Sequence, residues 1–407
     1  MIKQQQLESL RALHKSVISH VPLYQKLHAS GKIPNRIESM KDLQKLPIIT
    51  KKMIRKNHSE FLSLKKRMIA RGQTSGTTGT PFRFHHDIPK LCNIQAHLLL
   101  GQSWAGYQLG SPMARLGHQY SPRGIHELLY SLYSRYLKNQ ITFPYTILTP
   151  RIIEKYLYIL RRKNITYLEG YVSPLIELAK YVEKSGTEPK LTSVLTKGEM
   201  LYPNTRRFIE RNLQCSVFES YGSGELGAMA FECSKKIGLH VFDESYIIES
   251  IRDGESVVNE VGDLAITDLT NYTQPFIRYL VGDRGVISDE KCECGRESNI
   301  LKSIEGRAND AITTSNGTWL SSGYFWYLLE PFSNILQWQV EQVSKYEIIF
   351  RLVMRSLESK LETSIIEAIE RIDHTMRIKF DYAGEIPKTK RGKLRNVISR
   401  IRPQTAI

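Results

Sequence analysis

The feature that most constrains this 407-residue chain is a change of rhythm near Arg307. Upstream of it, short apolar runs alternate with helical patterns. Ile165-Thr166-Tyr167-Leu168 reads as a strand and residues 174–184 as a helix. Ser193-Val194-Leu195-Thr196 is a second strand, residues 202–213 a second helix, and Ser216-Val217-Phe218-Glu219 a third strand. Strands separated by helices need crossover connections, so the order predicts parallel sheet with helices on its faces, extended over about residues 70–290. Downstream, residues 337–340 and 346–353 read as strands joined by a short turn, 358–373 as a helix and 376–382 as a strand. At the start, Leu7, Leu10, Leu13, Val17 and Val21 recur at helical spacing, which predicts an amphipathic helix ending near Pro22. The expectation is a large N-terminal α/β domain over 1–306, a hinge at 307–310 and a small α+β domain over 311–407. A chain of this length is too long for one small core.

Composition narrows the partners. The formal charge is +16, which favours anionic ligands. No long single-sign block and no aromatics interleaved with a basic patch occur, which argues against nucleic acid. A basic zinc-containing nucleic-acid-binding protein is the competing reading from another class. No apolar run approaches the roughly 20 residues that span a bilayer, and the polar start Met1-Ile2-Lys3-Gln4-Gln5-Gln6 lacks a signal core. Five cysteines, an odd number unevenly spaced, argue for a reducing compartment. A cytoplasmic location is expected, and the oligomeric state stays open, a homodimer included.

Five segments carry chemistry. The loop Thr74-Ser75-Gly76-Thr77-Thr78-Gly79-Thr80-Pro81 combines glycines, whose backbone N–H groups can approach an anion, with hydroxyl donors. It lacks the Gly-Lys-Ser/Thr ending of a Walker loop. In the second, Gly222, Gly224 and Gly227 form a literal Gly-x-Gly-x-x-Gly, with Asp243 downstream where a dinucleotide fold wants an acid. The stretch is too short before Cys233 for a long helix, so Tyr221 and Glu225 are the more telling residues. An aromatic ring can stack on a purine and a carboxylate can hold Mg²⁺. The third contains Gly262-Asp263-Leu264, Pro275 to Tyr279 and Gly282-Asp283; a fixed Asp283 can accept bonds from both ribose hydroxyls. The fourth is Gly306-Arg307, and the fifth Pro387 to Arg395, where Lys393 beside Gly392 can deliver a compact charge to a phosphate.

In this order the five segments resemble the acyl-adenylate-forming (AMP-forming ligase) superfamily, and within it the phenylacetate–coenzyme A ligase-like branch. The pattern is also similar to adenylating proteins of capsular polysaccharide pathways. The resemblance runs from His20-Val21-Pro22-Leu23-Tyr24 to Lys393. It implies a large adenylation domain with a small mobile C-terminal domain. It implies activation of a small carboxylic acid with ATP, pyrophosphate release, and transfer of the acyl group to an acceptor, often coenzyme A. By motif, Thr74, Ser75, Gly76, Thr77, Thr78, Gly79 and Thr80 would hold the β- and γ-phosphates. Tyr221 and Gly222 would meet the adenine, Glu225 would bind Mg²⁺, Asp283 the ribose, and Arg307 the ribose or α-phosphate. Lys393 would stabilise the adenylation transition state. The acyl pocket would lie near Gly170-Tyr171 and Thr196-Lys197-Gly198-Glu199, with Glu199 on the ATP side.

Relatives carry a lysine in the phosphate loop where this chain has Thr80 and Phe82. The stretch Thr313-Thr314-Ser315-Asn316-Gly317 is one residue longer than in coenzyme A-using relatives, and Asn316-Gly317 reads as a tight hairpin turn. The acceptor is therefore open between a thiol and an amine or hydroxyl. Cys233, His240, Cys292 and Cys294 supply four ligands suited to tetrahedral Zn²⁺ with no open position, the pattern of a structural site.

Overall fold

The computed structural model describes residues 2–65, 69–73, 82–117, 129, 132–145, 148–307, 311–329, 331–332, 334–354, 356–386 and 394–401. The chain divides into two compact units. One comprises Met1–Glu260, Leu264–Val281 and Val286–Ser303; the other comprises Val261–Asp263, Gly282–Gly285 and the chain from Ile304 onward.

The first unit opens with α1 (Ile2–His20) and α2 (Pro22–Ala29). Pro22 has no N–H to give a continuing helix, yet its fixed φ suits the first turn of a new one. Leu10, Leu13 and Val17 on α1 are fully buried, as their spacing predicts. They pack with Leu43, Leu46 and Ile277. Next come β1 (Ile49–Thr50) and α3 (Lys51–Lys56), the latter capped by Thr50 Oγ1, which accepts from Met53 N at 3.3 Å. A hairpin follows, β2 (Ile69–Gln73) against β3 (Arg83–Asp87), then α4 (Ile88–Trp104).

The parallel part of the sheet matches the alternating pattern. It contains β4 (Met113–Gly117), β5 (Gln140–Pro144), β6 (Tyr167–Gly170), β7 (Ser193–Lys197) and β8 (Ser216–Ser223). Their order is β8-β7-β6-β4-β5, with every adjacent pair parallel. The crossovers are α5 (Pro150–Arg162), α6 (Val172–Ser185) and α7 (Pro203–Leu213). Thr149 caps α5 through Ile152 N, Pro150 sits in its first turn, and Ile153, Leu157 and Leu160 form its buried face. These residues join Leu175, Leu178 and Val194 in one core. Burying one such leucine contributes about 1.5–3 kcal/mol.

The expectation of alternating strands and helices up to residue 290 fails beyond β8. There the chain turns back into β9 (Gly227–Glu232), β10 (Leu239–Val241), β11 (Tyr246–Arg252), β12 (Glu255–Val257), β13 (Val261–Asp268), β14 (Tyr279–Ser288) and β15 (Ile300–Arg307). The β8–β9, β9–β10, β10–β15 and β11–β12 pairs are antiparallel, and β1 joins β14 in parallel. Among the described residues the sheet has 13 strands. Strands such as β11 and β13 are buried along most of their length, so they lack the alternation that marks a half-exposed strand.

The second unit carries the hairpin β16 (Ala311–Thr313) and β17 (Trp319–Ser321), then α8 (Ser322–Leu329). It continues with β18 (Ile335–Ser344), β19 (Glu347–Met354), α9 (Leu361–Glu370), β20 (Arg377–Tyr382) and β21 (Val397–Ser399). The order β20-β19-β18-β21 makes a four-stranded sheet with α9 packed on it through Leu361, Ile365 and Ile369. The turn at Asn316-Gly317 is wider than a two-residue hairpin. Thr313 pairs with Trp319, and Gly317 adopts φ +90° between them. Asp373 fastens this turn, accepting from Ser315 Oγ at 2.6 Å and Asn316 N at 3.0 Å.

Candidate active site

The β8–β9 turn is built from glycines for a packing reason. A Cβ on Gly222 would lie 2.5 Å from Gly227 O, and one on Gly227 would lie 2.4 Å from Ile94 of α4, at φ +85°. The Gly-x-Gly-x-x-Gly run thus closes an antiparallel hairpin against a helix. It does not open the strand-to-helix turn of a dinucleotide fold. A register shift between Tyr221 and Gly222 marks a bulge, and Glu225 sits in the turn beyond it.

A glutamate in a glycine-rich turn belongs at the surface by default. Glu225 is instead 1% exposed. Tyr279 OH donates to its Oε1 at 3.0 Å, and Lys51 Nζ lies 2.9 Å from the same oxygen. Burial pushes this carboxyl up, but the charge and hydrogen bond of Lys51 outweigh it, and the net shift is downward. The turn's backbone is pinned as well. His86 Nε2 donates to Glu225 O at 2.7 Å, which fixes the proton on that nitrogen. Tyr246 OH donates to Leu226 O at 2.6 Å and accepts from Lys90 Nζ at 2.7 Å. Lys90 pairs with Asp268 at 2.7 Å, both side chains wholly buried. The carboxylate holds Lys51's ammonium as its cation, so its chemistry fits a cation ligand; Lys51 is one-third exposed and also donates to Val281 O at 3.4 Å.

The phosphate-loop residues Thr74 to Pro81 lie outside the described residues, but the hairpin that carries them is described. Gln73 and Arg83 are paired, so both ends of the loop leave at one rung. Gly72, Phe84 and His86 of that hairpin, Ile94 and Leu98 of α4, and Ser223, Gly224 and Gly227 line a cavity of about 400 Å³. The loop's stems and the Glu225 turn therefore face one space.

The remaining candidates divide. Tyr221 is 7% exposed, a ring largely inside the protein. Glu199 Oε2 accepts from Ser173 N at 2.7 Å and Ser173 Oγ at 2.8 Å, which ties the turn after β7 to the start of α6. Asp283 is half-buried on β14 and Arg307 closes β15; both belong to the second unit. Lys393 and the hinge residues Asn309 and Asp310 lie outside the described residues.

Spacing does not reveal Lys51, His86 or a buried charge cluster, because each depends on contacts distant in sequence. In that cluster Glu169 on β6 pairs with Lys197 at the end of β7, takes Arg115 Nε at 3.2 Å, and accepts from Gln102 Nε2 at 3.0 Å. Burial drives the Glu169 carboxyl up, yet Lys197 and Arg115 bring it down to about 2. Burial lowers the Lys197 ammonium to about 8, against the pull of Glu169.

The four sulfur and imidazole ligands do converge. Cys233 follows β9, His240 lies on β10 and Cys292 and Cys294 precede β15; β10 pairs with both β9 and β15. Their ligand atoms lie within 4.8 Å of one another. Cys233 Sγ is 3.7 Å from Cys292 Sγ, and Cys294 Sγ is 3.3 Å from His240 Nε2. Tetrahedral Zn²⁺ with bonds of about 2.3 and 2.0 Å needs about 3.8 and 3.5 Å for these edges, so the set fits. His240 Nδ1 bonds Ser298 Oγ at 2.9 Å, leaving Nε2 toward the cluster.

No protein-family model matches the chain. Protein CapK of Staphylococcus aureus is 22% identical over 389 residues, covering 93% of this chain and 85% of that protein. A phenylacetate–coenzyme A ligase of Pseudomonas putida is 25% identical over 326 residues, covering 76% and 72%. Among solved structures, 2-hydroxyisobutyryl-CoA ligase in the postadenylation state with 2-HIB-AMP superposes with a TM-score of 0.78 at 19% identity, covering 98% of this chain and 89% of that one. The chain shares its fold with that ligase over nearly its whole length, and in sequence it is similar to phenylacetate–coenzyme A ligases of the AMP-forming kind, in agreement with the ordered motifs.

Proposed function

We propose that this chain activates a carboxylic acid with ATP, forming an acyl-AMP and pyrophosphate, and passes the acyl group to a thiol, coenzyme A. The observation that carries the reading is the ionised, buried Glu225, held at both its carboxylate and its backbone beside the cavity that the phosphate-loop stems line.

Two anions must meet in this reaction, and charge builds at the α-phosphate as pyrophosphate leaves. The loop Thr74 to Thr80 offers N–H and O–H donors to the β- and γ-phosphates. Glu225 would hold Mg²⁺, with Lys51 moving off its oxygen; the ion, when bound, neutralises the phosphates. Asp283 accepts from the ribose hydroxyls, Tyr221 and Gly222 border the adenine, and Arg307 contacts the ribose or α-phosphate. Glu199 acts by fixing the turn after β7. Lys393 delivers its ammonium to the α-phosphate in the adenylation step, and the small C-terminal domain is the mobile part that brings it there. Cys233, His240, Cys292 and Cys294 would hold a structural zinc. Among the described residues no helix is long and apolar enough to cross a membrane.

A second acceptor is favoured by two observations. The longer 313–317 turn is locked to Asp373, and Protein CapK is similar over most of the chain. In that reading an amine or hydroxyl of a polysaccharide precursor takes the acyl group. The test is to incubate the enzyme with ATP, an active acid and either coenzyme A or no thiol. Acyl-CoA with stoichiometric AMP supports the thiol reading. An acyl-AMP that persists with coenzyme A and is consumed by amines or hydroxyls overturns it.

A further inference from the structure

The segments that bring Cys233, His240, Cys292 and Cys294 together have almost no core of their own. Residues 233–238 and 289–299 form neither helix nor strand. The apolar cluster there consists of Cys233, Cys292 and Ile300, with Ile237 and Cys294 against it, so most of it is metal-ligand candidates. Where so little apolar surface is buried, a bound metal supplies the ordering.

These same segments seat one face of α4. Phe231 stands two residues before Cys233, Phe242 two after His240 and Arg296 two after Cys294, and each meets the helix. A Cβ on Gly101 would lie 2.3 Å from the Phe231 ring, so strand and helix approach closely there. The Phe242 ring stacks on His97, centroids 4.4 Å apart, and lies 5.4 Å from Trp104. The Arg296 guanidinium sits over the Trp104 ring, 4.3 Å from its centre, and His240 itself meets that ring edge-on at 5.8 Å. His97, Gly101 and Trp104 follow one another at steps of four and three, which places them on one stripe of the helix. Leu91, Ile94 and Leu98 form the adjacent stripe, and they line the cavity beside Glu225. One face of α4 therefore rests on the metal-bearing segments while the next face walls the cavity.

We propose that Trp104 is a positioning residue through which the metal-bearing segments hold α4, and with it one wall of the cavity beside Glu225. This rests on the structural-zinc reading. With the metal bound, His240 and Arg296 are fixed and clamp the indole between them. Without it, residues 233–238 and 289–299 lose their ordering and the last turns of α4 lose their seat. The core of Leu175, Leu178 and Val194 under the parallel strands does not include these residues and stays folded.

The test follows backbone hydrogen exchange by mass spectrometry, before and after a chelator draws zinc from the purified protein, with zinc counted by metal analysis. Loss of zinc should speed exchange in α4 by about tenfold or more while α6 changes little. Trp104→Ala should show fast α4 exchange that the chelator no longer alters, and Trp104→Phe, which keeps a ring, should restore the response. Coupling is reciprocal, so the chelator should also take zinc more readily from Trp104→Ala than from the wild type. Arg296→Gln, a change to a half-buried side chain, should weaken the α4 response in the same direction. Exchange in α4 that zinc loss leaves unchanged overturns the proposal, as does an equal rise in α4 and α6, which would make the metal a support of the whole fold. A Trp104→Ala protein that responds like the wild type overturns it too. Purified wild type without zinc overturns the zinc reading, and this proposal with it.

Discussion

A buried carboxylate stays ionised only when enough positive charge reaches it, and two glutamates of β8 and its turn answer that condition in opposite ways. Glu225 has Lys51 and remains charged. Glu225→Gln keeps the shape and the Tyr279 contact and removes the charge. It should cut the adenylation rate roughly 10²–10³-fold while the melting temperature moves far less, checked by exchange kinetics beside calorimetry. Equal loss of both would make Glu225 a structural residue. Glu219 has no such help: burial first, then Glu232, raises it to about 7, and Arg206 opposes only in part because it is bidentate on Glu232. A carboxyl whose pKa is raised on folding binds its proton more tightly folded than unfolded. Its contribution is full below the unfolded value and is lost as pH rises through about 7. Glu219→Gln should therefore flatten the fall of stability between about pH 4.5 and 7, measured by urea unfolding at several pH values; an unchanged slope contradicts the assignment. Glu225 was legible because a motif named it. Lys51 was not, since no spacing rule links residues 51 and 225.

At the scale of elements, β6, β7 and β8 with α6 and α7 could be read from sequence because each of these helices shows one apolar stripe, whereas β4, β5 and α5 were not individually read. The antiparallel half could not, because strands buried on both faces lose their period and α4 shows little amphipathic contrast. What positions α4 is contact detail: a Cβ on Gly101 would lie 2.3 Å from the Phe231 ring. Gly101→Ala should cost about 1–3 kcal/mol through overpacking, read as a lower urea midpoint; a neutral effect would mean α4 has room to shift. The cysteine–histidine cluster was legible as four ligands, and the β9–β10–β15 pairing supplies the reason they meet. Purified protein should carry close to one equivalent of zinc, and Cys292→Ser should lose it and unfold more readily. Metal analysis that finds none in the wild type contradicts the structural-zinc reading.

At the scale of the whole molecule, the +16 charge signalled an anionic ligand without saying which. The order of five motifs, a fold shared across nearly the entire chain and a buried carboxylate paired with Lys51 beside a cavity agree with the proposed acid activation. The cavity beside Glu225 was illegible because its lining comes from β2, β3, α4 and the β8–β9 turn, which meet only in the fold. The most direct test is exchange of labelled pyrophosphate into ATP, without coenzyme A, across aryl, fatty, amino, sugar and dicarboxylic acids. Acid-dependent exchange that Lys393→Ala reduces by roughly 10²–10³-fold is the predicted result. Exchange with no acid, or a rate that Lys393→Ala leaves untouched, would contradict the account.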